Sequence, residues 1–119
     1  MKKDPKIFLS HILESIDYIE KDITGFDRDD FLENRTIQDA VMRRLEIIGE
    51  AVKNLPADFK KKNNFTPWQK IAGMRDFLIH EYFGVNVDLV WQTIKKDLTK
   101  LKVQLAKLLG EAQRERKKK

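Results

Sequence analysis

The chain has 119 residues and a mass of 14.1 kDa, which bounds it to one domain with a single core. Hydrophobic residues make up 41% and charged residues 36%, no apolar run approaches the ~20 residues of a membrane span, and zero cysteines exclude disulfides, thiolate catalysis and cysteine zinc sites. The formal charge of +5 is uneven: residues 112–119 hold five positive charges and one negative, which leaves residues 1–111 at +1, so any grip on phosphates must come from local patches or from that basic tail.

Asp4 and Pro5 are read as the cap and first turn of a helix. Phe8, Ile12, Ile16, Ile19 and Ile23 recur every three or four residues opposite Glu14, Asp17 and Lys21, and the element ends at Gly25. His11 flanks that stripe without an acidic partner at a motif spacing and reads as a partly exposed structural histidine. Residues 27–33 read as one acidic turn pinned by Phe31 and Leu32. Asn34 caps a helix that carries Ile37, Val41, Leu45, Ile48 and Val52 to Leu55, where Pro56 stops it. Ala40, Ile47 and Ala51 widen its stripe beyond one partner helix, which suits a central helix packed from both sides or one that also contributes to a subunit interface. Gly49 in mid-helix suits a close helix crossing. Arg43 and Arg44 are read either as solvated or as reaching a cleft to hold phosphate.

From Ala57 to Phe65 the pattern breaks into a loop whose Lys60, Lys61 and Lys62 are either solvated or phosphate contacts. Thr66 and Pro67 restart a helix as cap and first turn, Trp68, Ile71, Ala72, Leu78 and Ile79 bury it, and Gly84 ends it. Asn86 caps the last helix, in which Val87, Val90, Trp91, Ile94, Leu98, Leu101, Leu105 and Leu108 keep a three-to-four spacing over about 22 residues. No period-two alternation runs long enough for a strand. The expected fold is all-α, an up-down bundle of four main helices plus one short helix, with residues 1–111 as a single domain and 112–119 as a disordered basic tail. Met1 to Pro5 lead into an amphipathic pattern rather than a signal peptide, so the chain is expected in the cytoplasm, away from membranes.

Polar chemistry concentrates in Met74-Arg75-Asp76-Phe77-Leu78-Ile79-His80-Glu81-Tyr82-Phe83, which holds one of only two histidines and one of only two tyrosines. On a helix, Arg75 and Tyr82 fall within ~20° of one face and Asp76 and His80 stack ~40° apart, whereas Arg75 and His80 stand ~140° apart. The long arginine stem or a partner helix is therefore needed to bring both onto one ligand. Two histidines 69 positions apart argue against a dedicated metal site, and no cofactor motif is present. On spacing alone, the plainer reading is an arginine paired at the surface, a histidine bonded at a helix end and a packed tyrosine.

The surrounding run from Trp68 to Asn86, the following Val90-Trp91-Gln92-Thr93-Ile94 and the upstream Arg43-Arg44-Leu45-Glu46-Ile47-Ile48-Gly49-Glu50-Ala51 closely resemble the HepT-like branch of the HEPN ribonucleases. The resemblance covers residues from about 7 to 109. It implies an all-α HEPN-like homodimer, and a toxin ribonuclease of a type VII-like toxin–antitoxin pair, partnered by a minimal nucleotidyltransferase antitoxin. It also implies that Arg75 and His80 are catalytic in a dimeric cleft, and that the toxin is neutralised by AMP addition to Tyr82.

The chemistry of those residue types agrees. RNA is cut without a metal when a base takes the 2′-hydroxyl proton, cations steady the phosphorane and an acid protonates the leaving 5′-oxygen. Histidine suits either proton role and the planar, permanently charged guanidinium suits the phosphate. Two roles and one suitable histidine per chain argue for a dimer. Asp76, four residues before His80, is placed to support it as acceptor of its other N–H, and Arg43, Arg44, Lys60, Lys61 and Lys62 become candidate RNA contacts. The competing reading is a non-catalytic helical module that binds a nucleotide or a nucleotidyltransferase.

Overall fold

The computed structural model describes residues 4–73, Asp76 and residues 86–118, with side chains through Glu111. Helix α1 (Pro5–Asp22) starts where the Asp4 carboxylate accepts from the Lys6 N–H at 3.0 Å, and Pro5 takes a first-turn position in which no N–H is needed. The chain leaves α1 through Gly25, whose φ of 79° lies in the left-handed region that residues with a Cβ rarely adopt. The acidic element is helix α2 (Arg28–Glu33), closed by a reciprocal capping box. Asp27 accepts from the Asp30 N–H at 2.8 Å, and Asp30 accepts from the Asp27 N–H at 3.0 Å. Asn34 then ends α2 and begins helix α3 (Arg35–Asn54), accepting from the Ile37 N–H at 3.0 Å.

The stretch expected to be a loop after Pro56 is in part helical: α4 spans Ala57–Lys62. Six residues are too few to show a period, and only Phe59 turns inward, its ring centroid 6.1 Å from that of Trp68. The last-turn lysines suit the negative end of a helix. Thr66 does not act as a cap. Its hydroxyl is buried without a hydrogen-bond partner among the described residues, and the next helix instead begins on the Pro67 carbonyl, which accepts from the Ile71 N–H at 3.1 Å. Residues 68–73 and Asp76 are helical and make up the described part of α5.

The final stretch is longer and less regular than its spacing suggests. Helix α6 (Val87–Gln92) passes through a π turn (Thr93–Asp97) into helix α7 (Leu98–Lys118), whose backbone stays helical over the stretch read as a tail. In the π turn the Leu98 N–H reaches back five residues to the Thr93 carbonyl, and the Thr93 hydroxyl donates to the Leu89 carbonyl at 2.9 Å.

Helix α1 packs against α3 and α7, and α2 packs against α3 and α6. Leu9, Ile12, Ile16 and Ile19 of α1 meet Val41, Leu45, Ile48 and Val52 of α3 and Leu98, Leu101 and Leu105 of α7 in one core. Most of the wide stripe of α3 is covered within the chain: Val41, Met42, Leu45, Ile48, Ala51 and Val52 are buried, while Ile37, Ala40 and Ile47 are half-buried. Gln38 is buried as well, donating to the Phe31 and Leu32 carbonyls at 2.9 and 3.1 Å and so closing the end of α2 onto α3. Phe31 is fully buried from a six-residue helix, its ring centroid 5.3 Å from Trp91. Phe31→Ala is expected to lower unfolding stability by roughly 3–5 kcal/mol, read from urea melts at unchanged slope, because the ring leaves a cavity that a short, capped helix cannot collapse to fill. Among the described residues there is no strand, and no helix is long and apolar enough to cross a membrane. The architecture is all-α.

Candidate functional site

Arg75, His80 and Tyr82 lie outside the described residues; Asp76 is helical and exposed. What the structure gives is the frame on either side of that stretch. On the way in, Trp68 Nε1 donates to the Asn63 carbonyl at 3.0 Å while Asn63 Nδ2 donates to the Phe59 carbonyl at 2.9 Å, so the start of α5 is bonded to the end of α4. On the way out, the Asn86 side chain accepts from the Leu89 N–H at 3.3 Å, and Arg28 Nε donates to Asp88 at 2.7 Å across 60 residues of chain. Together with the Phe31–Trp91 contact, this ties the first turn of α6 to α2.

The hydrogen bond from Arg28 holds the Asp88 carboxyl below its ordinary value of 3.8. The same bond raises the guanidinium. A lowered carboxylate pKa contributes stability that is fully present above the ordinary value and is lost as pH falls through the lowered one. Asp88→Asn is therefore expected to melt below the parent at neutral pH, by a small margin because both groups face solvent, and the two melting curves should converge in acid below pH 3.8.

Beside the described part of α5 runs a groove of about 480 Å³. Lys70, Ile71 and Gly73 of α5 form one wall, and Thr93 of the π turn with Leu98 and Lys100 of α7 form the other. Its lining is mostly apolar, with Lys70, Lys100 and Asp97 as its charged residues, and Gly73 is two positions before Arg75. Neither Lys70 nor Lys100 stands out in the sequence, because each is one lysine among many on a solvated helix face. The π turn has no sequence signal either, since the apolar spacing across it still reads as three and four.

The structure distributes the candidate phosphate contacts rather than gathering them. Arg43 lies 3.3 Å from Glu46 and lines a separate hollow between α1 and α3, of about 370 Å³, together with Phe8, His11 and Glu50. The Arg44 guanidinium sits 3.9 Å from the centre of the Tyr18 ring. Lys60 donates to the Val52 carbonyl at 3.2 Å, at the end of α3, whereas Lys61 and Lys62 are exposed on the last turn of α4. His11 is exposed and faces Arg43 and two glutamates, which is a surface environment. Among the described residues no group of three or more His, Cys, Asp or Glu could hold a metal ion.

Comparison with known proteins gives a consistent result. The family model described as "Ribonuclease HepT-like" matches residues 12–108. The chain is 52% identical over 93% of its length to "Gamma-glutamylcyclotransferase and putative RNase" of Methanocaldococcus jannaschii, and it spans about half of that protein (50%). It is 46% identical over 90% of its length to "Putative RNase" of Caldanaerobacter subterraneus subsp. tengcongensis, spanning 96% of it. It is 47% identical over 91% of its length to "Probable ribonuclease HepT" of Thermococcus cleftensis, spanning 98% of it. No solved structure matches the chain. With the family model covering most of the chain and relatives this similar across nearly their whole length, the chain belongs to the HepT-like ribonuclease family.

Proposed function

We propose that the chain is the ribonuclease toxin of a type VII-like toxin–antitoxin pair, cutting RNA without a metal ion through Arg75 and His80. The observation that carries this reading is that the family match over residues 12–108 encloses an unbroken Arg-x4-His-x-Tyr order at Arg75, His80 and Tyr82. Each residue type suits its step. A base removes the 2′-hydroxyl proton, the 2′-oxygen forms a bond to phosphorus, and the bond to the 5′-oxygen breaks as an acid protonates it. The ends left are a 2′,3′-cyclic phosphate and a 5′-hydroxyl. His80 carries a proton in one or both steps, Arg75 holds the non-bridging oxygens, and Asp76 orients His80. Because one chain supplies one such histidine, two copies are taken to face a common cleft.

The groove beside α5 supports the reading, since its two lysines outnumber its one carboxylate, Asp97, and Lys70 stands five positions before Arg75 on a body whose net charge is only +1. Control belongs to a minimal nucleotidyltransferase antitoxin that transfers AMP to Tyr82. The direct test is to incubate the purified chain with total RNA in EDTA and map the ends. Cyclic-phosphate ends that persist in EDTA support the proposal. Binding of a nucleotide or of the nucleotidyltransferase without any cleavage assigns the chain to the non-catalytic module instead.

A further inference from the structure

The turn between α4 and α5 holds an aromatic ring out in solvent. Phe65 is 57% exposed, whereas the rings on either side of it, Phe59 and Trp68, pack on each other and its neighbour Thr66 is buried. The exposure belongs to a bonded turn, because the Asn63 carbonyl accepts from both Trp68 Nε1 at 3.0 Å and the Thr66 N–H at 3.4 Å. Tyr18, the other exposed aromatic among the described residues, has the Arg44 guanidinium over its ring, while Phe65 has no ring or cation contact there. A lone exposed apolar residue is ordinary on a protein surface. Phe65 differs in its setting: Lys61 and Lys62, both exposed, stand four and three positions before it, and two positions after it Pro67 begins the wall of the groove that carries Lys70.

We propose that Phe65 is a base-stacking platform for single-stranded RNA, with Lys61 and Lys62 holding the phosphates on either side of the stacked nucleotide. This rests on the ribonuclease reading and adds to it where the substrate is first gripped. An aromatic face accepts any base, because every base has a π face, and lysines attract phosphates without regard to sequence. A duplex keeps its base faces stacked inside, so this platform selects unpaired strands. Lys60 takes no part, being bonded to the end of α3.

The test uses the full chain carrying His80→Ala, so that the probe survives, and fluorescence anisotropy with a labelled 12-nucleotide oligo(A) and with a blunt RNA duplex. Phe65→Ala is expected to weaken oligo(A) binding by roughly 5- to 150-fold, with duplex binding and the salt slope unchanged and Phe65→Trp restoring affinity. Lys61→Ala and Lys62→Ala are each expected to flatten the salt slope by about one phosphate contact. Melting temperatures should stay put in every variant, since these side chains are exposed. Unchanged oligo(A) affinity in Phe65→Ala overturns the proposal, as does an equal loss on duplex. So does a fall in self-association or antitoxin binding at constant RNA affinity, which would make the ring a protein contact. Cleavage that needs His80 but ignores Phe65 removes the platform alone; stacking at Phe65 without cleavage by the parent chain removes the ribonuclease reading alone.

Discussion

His80→Ala is expected to cut RNA roughly 10²–10⁴ times more slowly than the parent chain, with helical circular dichroism and melting temperature unchanged, and Arg75→Ala is expected to fall in the same range. The two losses have different origins. Without the imidazole, proton transfer falls to water, whereas without the guanidinium the charge building on the phosphorane is left unneutralised. Both rates are measured by single-turnover cleavage of a labelled RNA in EDTA. If the cleft is shared between two copies, mixing the inactive Arg75→Ala and His80→Ala chains should return part of the activity in heterodimers that keep one intact pair. Full activity in folded His80→Ala protein would remove the assignment. RNA cleavage by a chain that light scattering shows to be strictly monomeric would remove the shared cleft.

An effect of similar size is expected from modification. Co-expression with the cognate nucleotidyltransferase and ATP should add one or more units of ~329 Da, the mass of an AMP residue, to the peptide containing Tyr82, and the modified protein should no longer cut RNA. A tyrosine hydroxyl is a poor nucleophile in its protonated state, so the transferase must activate it and the toxin need only present it. Each AMP brings a nucleoside and a negative charge to a site that must admit phosphates beside Arg75, so bulk and repulsion act together. Tyr82→Phe should remain folded and active while escaping inactivation. Loss of activity in Tyr82→Phe without the transferase would place the hydroxyl in catalysis or folding, and an unmodified Tyr82 in a neutralised complex would mean inhibition by binding alone.

Much of the frame was legible in the residues because long amphipathic helices repeat their pattern often enough to average out noise. Helices α1 and α3 show this: Ile12, Ile16 and Ile19 of the one and Val41, Leu45, Ile48, Ala51 and Val52 of the other are buried as their spacing marks them, although Leu9 and Met42 are buried outside the marked stripes and Phe8 and Ile37 are only half-buried, and Asp4, Pro5 and Asn34 begin the helices as cap chemistry requires. Short elements escape that logic. Helix α4 has six residues and one inward side chain, so it read as a loop, and Thr66 looked like a cap because cap propensity says nothing of where the hydroxyl ends up once its neighbours are packed. Long-range polar contacts were also out of reach, since nothing local announces that Arg28 meets Asp88 or that Gln38 turns back to α2. Of the candidate site, residue order and family resemblance nominate Arg75, His80 and Tyr82, which lie outside the described residues, while the groove walls needed the fold. Lys70 and Lys100 become partners only once α5 and α7 lie side by side.

The π turn at Thr93–Asp97 has a consequence for how the last helix serves two masters. Its first segment must present Trp91 toward Phe31, and its second must present Leu101, Leu105 and Leu108 to the core shared with α1, where Lys102 also reaches Asp17 and Glu20 at 3.4 and 2.7 Å. A uniform α-helix fixes the angular phase between those two docking faces once the residue count is set. The wide turn takes in one residue more than an α turn holds, so it works as slack in the phase. Deletion of one residue within Thr93–Asp97 is therefore expected to be accommodated by tightening one turn, whereas the same deletion nearer Trp91 or Leu105 is expected to rotate a docking face out of register and lower the melting temperature.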